Sequence, residues 1–145
     1  MKANLSRTLI MGAVALAGAG AAFADDNVDA QIPFAFRAGG VKFEAGLYSI
    51  SQYGHNDAGI LTLQNRSGSG TKFVNTTSHA PDAGPNGGGK YPNPKLVFRC
   101  GDSGGCALSA VQMENGRSWT LRIPRRKAME TERIAVIYPE KNHAE

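Results

Sequence analysis

From Val28 to Phe36 every second residue is apolar. Val28, Ala30, Ile32, Phe34 and Phe36 fall on one face, and Asp29, Gln31, Pro33 and Ala35 on the other. A period of two belongs to a strand with one buried face, whereas a helix would repeat its apolar positions every three to four residues. Short runs of this kind recur to the end of the chain, parted by Gly, Pro, Asn and Asp. Strands this short bury nothing alone and must pair, so the pattern commits the chain to antiparallel β-structure. Pro33 has no N–H to give to a ladder, which predicts an edge position or a pairing gap there.

Further strands are expected over 47–53, 59–64, 71–77, 95–100, 106–113, 117–123 and 134–138. Arg37-Ala38-Gly39-Gly40, Glu44-Ala45-Gly46, Gly54-His55-Asn56-Asp57, Ser67-Gly68-Ser69-Gly70 and Asn115-Gly116 supply the turn chemistry between them. Pro124 suits the first position of a helix, and 125–133 is the one stretch with helical propensity. Residues 78–94 hold Pro81, Pro85, Pro92, Pro94 and four glycines, which predicts an irregular surface excursion. A frayed tail is expected over 139–145. The fold class expected is all-β: about seven to nine short antiparallel strands forming a small barrel or sandwich, with one short helix near the C-terminus.

Residues 1–24 read as an export signal. Lys2 and Arg7 open it, an apolar run of Ala, Leu and Val follows, and Ala22-Phe23-Ala24 offers a small-x-small cleavage site. The apolar run is too short and too rich in Gly and Ala for a membrane span of about 20 apolar residues. Cleavage leaves a single β-rich domain over 25–145, with no transmembrane span after it. The formal charge of the chain is +4, and removing Lys2 and Arg7 leaves 14 basic against 12 acidic side chains. That balance gives no argument for a nucleic-acid partner. Cys100 and Cys106 are the two cysteines. In an oxidising compartment such a pair forms a local disulfide, whose short loop contributes about 2 kcal/mol. Two reduced thiols or a metal site are the other readings. A metal would need more ligands, and no His lies within twenty residues of either Cys.

Cys100-Gly101-Asp102-Ser103-Gly104-Gly105 matches the nucleophile segment of trypsin-like serine proteases. Such a nucleophile needs a His to take its proton and an Asp to orient the His. Here His55 sits in a turn of Gly, Asn and Asp, His79 opens the Gly/Pro segment, and Cys106 stands where the proteases have Pro. A clamped Gly-rich tip between two strands accounts for the same letters. Arg122, Arg125, Arg126 and Lys127 form a basic cluster suited to anionic glycans or lipid headgroups, although Glu130 and Glu132 follow closely and ion pairs on a solvated helix face are the plainer reading. His55, His79 and His143 share no ligand spacing, so no metal and no cofactor is expected. Asn75-Thr76-Thr77 has the form of a glycosylation acceptor, and Trp119 and Tyr48 read as core or sheet-face residues.

Ile32-Pro33-Phe34-Ala35-Phe36 through Gly39-Gly40, then Ala45-Gly46-Leu47-Tyr48-Ser49-Ile50, resembles the opening of small secreted β-rich proteins common in acidobacterial genomes. Lys95-Leu96-Val97-Phe98, Gly101-Asp102 and Leu108-Ser109-Ala110-Val111 resemble their second block, and Pro124 to Glu130 a later one. The resemblance implies export and a β-turn at Gly101-Asp102 without a catalytic serine. It departs at Cys100 and Cys106, where aromatic residues are usual, and it brings no activity with it. The function expected is therefore an exported non-catalytic binding or structural module of the periplasm or cell surface, with a partner in the envelope or outside it. A small barrel carrying an apolar ligand is the second expectation, and a serine hydrolase using Ser103 the third.

Overall fold

The alternation at the start of the domain becomes two strands. β1 (Asn27–Ile32) buries Val28, Ala30 and Ile32 and stops at exposed Pro33; β2 (Phe36–Ala38) resumes with Phe36 and Ala38 buried and Arg37 exposed. The computed structural model describes residues 27–54, 59–68, 70–80, 93–103, 105–127 and 129–139. β3 (Val41–Phe43), β4 (Gly46–Gln52), β5 (Ile60–Asn65), β6 (Thr71–Asn75) and β7 (Ser78–Ala80) follow, then β8 (Lys95–Gly101), β9 (Cys106–Gln112), β10 (Ser118–Thr120) and β11 (Glu132–Ile137).

Two sheets result. The first is antiparallel, in the order β1-β4-β5-β6. Its register aligns Val28, Ile50 and Leu63 across three strands on the buried face. On the other face Ser51 and Thr62 share a hydroxyl contact of 3.0 Å, and Tyr53 and Phe73 pack edge to face in the open. The second sheet runs β11-β8-β9-β10-β7, with the β2–β3 hairpin attached through β9. A register shift at Val97/Phe98 sets Val97 opposite Ala110 and Phe98 opposite Leu108, leaving Ser109 as the extra residue. This bulge lets both Leu108 and Val111 face inward despite their odd spacing. The Ser109 hydroxyl is buried and donates to the Val97 carbonyl at 3.0 Å, so it carries no unpaired donor into the core.

Side chains of both sheets meet in one apolar cluster. Phe36 stands at its centre, stacked on Phe43 at 5.0 Å and edge-on to Tyr48 and Phe98, each at 5.4 Å. The hairpin turn is Gly39-Gly40, with φ of 54° and 87°. Gly39 must lack a side chain, since a Cβ there would lie 2.6 Å from Val74 Cγ1 on β6. Lys72 on β6 also donates to the Lys42 carbonyl at 2.9 Å while lying over the Phe43 ring. The hairpin thus pairs with one sheet and leans on the other.

The all-β class agrees with the sequence reading, while four expectations need correction. Eleven strands form among the described residues, and one pairing, β2 with β9, is parallel. The irregular segment expected from residue 78 begins instead with β7, which pairs with β10. The helix expected near 125–133 does not form among the described residues: 121–127 have no regular structure, and β11 starts at Glu132. Its polar groups are taken up elsewhere. The Arg126 guanidinium donates to Arg99 O at 2.7 Å and the Thr131 N–H to Asp102 at 3.1 Å. A single turn remains, with Glu130 N–H donating to Lys127 O at 3.1 Å. The signal segment, residues 81–92 of the Gly/Pro stretch and the tail from 140 lie outside the described residues.

Phe36→Ala is expected to cost about 3–5 kcal/mol, as for deletion of a buried aromatic ring. Phe73→Ala, on a residue 56% exposed, should cost under about 1 kcal/mol. Urea midpoints at constant slope check both.

Candidate functional site

The β8–β9 tip is clamped by the Cys100–Cys106 disulfide, with an S–S distance of 2.02 Å and Cα atoms 4.0 Å apart. The two cysteines are directly opposite in the ladder, next to the Gly101 N–H to Gly105 O bond of 3.0 Å. They therefore occupy a non-hydrogen-bonded pair, where opposed strands come closest and a cross-strand bridge fits. Of the readings open for the two cysteines, the disulfide is the one formed.

From the segment that leads into β11, Arg126, Glu130 and Thr131 reach this tip. Gly101 has no side chain where Arg126 Nη1 and Glu130 Oε1 pack against the backbone, so any Cβ would collide with both. The Ser103 hydroxyl donates to Glu130 Oε1 at 2.7 Å, and the Ser103 N–H approaches the same oxygen at 3.4 Å. These bonds to the charged form lower the Glu130 pKa below the ordinary carboxylate range, assisted by the Arg126 charge and opposed by Asp102. A general base working near neutral pH would need the opposite shift. Ser103 thus has a carboxylate as its partner. His55 and His143 lie outside the described residues. Among the described residues, no group of three or more His, Cys, Asp or Glu could hold a metal ion.

The four basic residues singled out in the sequence separate in space. Arg126 turns inward: Nη2 bonds to Arg99 O, Nε lies 3.9 Å from Glu132, and Nη1 is buried without a hydrogen-bond partner among the described residues. Arg122, Arg125 and Lys127 are exposed and make no side-chain hydrogen bond or ion pair with a described residue. Two clefts flank the segment. One, of about 500 Å³, is bordered by Arg37, Lys42, Arg125 and Arg126 and by the carboxylates of Glu44 and Glu130. The other, of about 610 Å³, lies between the Gly39-Gly40 turn, residues 75–77 and the pair Arg122 and Arg125.

Arg37 and Lys42 were absent from the sequence-based site. They are directly opposite each other on the hairpin, and neither has a charged partner among the described residues. Two like charges face to face on a short hairpin work against folding. The signal that could have found them is their equal spacing about Gly39-Gly40, which places 37 opposite 42 in any two-residue hairpin.

Replacing both cysteines by Ser is expected to cost about 2 kcal/mol and to make the melting temperature insensitive to reductant, read by thermal denaturation with and without a thiol. Glu130→Gln removes a group whose pKa is lower folded than unfolded. Its stabilising contribution is present above the unfolded carboxylate pKa and is lost as pH falls through the folded value. The melting-temperature gap between wild type and Glu130→Gln should therefore be constant at neutral pH and close under acid conditions. No family model matches the chain, and no curated protein or solved structure matches it either.

Proposed function

We propose that the chain is an exported, non-catalytic binding module of the periplasm or cell surface, engaging an anionic partner through the face built by the β2–β3 hairpin and residues 121–127. The observation that carries this reading is the opposed pair Arg37 and Lys42 beside Arg125 on one cleft. Unneutralised charge placed at a cost to stability is explained most directly by a ligand that neutralises it.

The disulfide supports an oxidising compartment, and the likeness to small secreted β-rich proteins supports export. No helix among the described residues is long and apolar enough to cross a membrane. The same reading takes the two sheets as halves of a small sandwich, since both supply one core cluster. Side chains such as Phe98, Leu108 and Ile50 fill its interior, which favours a ligand held at the surface over one carried inside. Binding without chemistry is favoured by a Ser103 whose hydroxyl is tied to a carboxylate of lowered pKa.

Arg37→Glu supplies the test, because it turns a repulsive cross-strand pair into an attractive one. Stability should rise by about 0.5 kcal/mol. Capture of envelope material by the immobilised chain should fall about tenfold and be reversed by salt in the wild type. Capture unchanged by the substitution, or no capture at any ionic strength, would remove this reading.

A further inference from the structure

The larger cleft differs from its neighbour in one chemical respect: no described acidic side chain lines it. Arg122 and Arg125 border it together, although three residues apart in an extended chain would place them on opposite sides. They lie in a stretch without regular structure, so the alternation of a strand does not hold there and both line the same hollow. Neither guanidinium has a hydrogen-bonding or ionic partner among the described residues. Two positive charges therefore face about 610 Å³ of open cleft without a counter-charge.

Each guanidinium presents a planar fork of donors that matches two oxygens of a carboxylate or phosphate. The number of charges separates these two. A single carboxylate would neutralise one arginine, whereas a phosphate monoester carries close to two negative charges at neutral pH and matches both. The hollow is far larger than a bare phosphate. Ile123 and Pro124 give it an apolar wall, and the exposed Asn75 adds an amide at its rim. Carbon on one side and polar groups on the other suit a sugar or polyol carrying the phosphate.

We infer that this cleft is a binding site for a phosphate monoester borne on a sugar or polyol, held by Arg122 and Arg125. The inference rests on the reading of the chain as a binding module and names the ligand class at one part of the same face. It makes Arg122 and Arg125 equal partners and leaves Lys127, outside the cleft lining, without a role.

Titration calorimetry of the full chain with glucose 6-phosphate, glucuronate and inorganic phosphate tests it, with phosphatidylglycerol vesicles as a phosphodiester surface. Glucose 6-phosphate should bind tightest. Its affinity should fall about tenfold or more in Arg122→Gln and in Arg125→Gln, and less than about twofold in Lys127→Gln. Both arginines are exposed, so unchanged melting temperatures will show that the variants fold. Affinity should also weaken from pH 7 to pH 5 as the monoester takes up its second proton near pH 6. Among the described residues that line this cleft there is no carboxylate and no imidazole, so that loss belongs to the ligand. Equal binding of glucuronate, stronger binding to the vesicles, indifference to both arginine substitutions or no binding of glucose 6-phosphate would each overturn the assignment. Salt-reversible capture of envelope material by a wild-type chain that does not bind glucose 6-phosphate would overturn it while leaving the binding module intact.

Discussion

The structure depends on the ring of Phe36. It sits on a three-residue strand, stacks on Phe43 of the same hairpin, and meets Tyr48 of one sheet and Phe98 of the other edge-on. Edge-to-face and offset contacts add to the burial of large apolar area, so this one residue ties three elements together. Its orientation then determines its neighbours'. With Phe36 and Ala38 inward, the period of two sends Arg37 outward, and with Phe43 inward it sends Lys42 outward to the same side. The cations of the proposed binding face are thus placed by the burial of the aromatic residues beside them.

At the other side of the smaller cleft, tertiary contacts override local preference. Residues 125–133 contain good helix formers, yet an isolated helix of that length is marginal in water. The β8–β9 tip offers better partners: a carbonyl at Arg99 for Arg126, a carboxylate at Asp102 for the Thr131 N–H, and a hydroxyl at Ser103 for Glu130. The disulfide holds these groups in one arrangement, so the segment meets a rigid template and follows it.

Much of the fold was legible because burial follows alternation. Spacing alone assigns Val28, Ala30, Ile32, Phe34 and Phe36 to one face; four are buried and Phe34 is half-buried against the same core. The cysteine pairing was legible from the even number of cysteines and their short separation along the chain. What the pattern hid depended on partners remote in sequence. Nothing around 125–133 announces that a tip some 27 residues earlier will take its hydrogen bonds. Nothing near residue 36 announces a parallel neighbour at Cys106. The bulge at Ser109 is equally silent, since one extra residue changes a register without changing composition. Of the basic cluster, the sequence identified the residues but not their division into one inward arginine and three exposed cations.

That division explains how a chain of nearly balanced charge can present a basic face. Glu130 and Glu132 lie against Arg126 and Arg99 at the tip, and Asp29 pairs with Arg66 at the far edge of the first sheet. Carboxylates used in this way form no ion pair with Arg37 and Lys42 of the hairpin or with Arg122 and Arg125 beside it, and Glu44 and Glu130 border the smaller cleft but not the larger. The summed charge reports none of this, because attraction to a ligand is governed by the local potential, which decays over about 10 Å at moderate salt. The arrangement that pins Arg126, Glu130 and Thr131 to the tip therefore also sets the electrostatics of the clefts nearby: by drawing Arg126 and the adjacent acids together, it leaves Arg122 and Arg125 to face solvent.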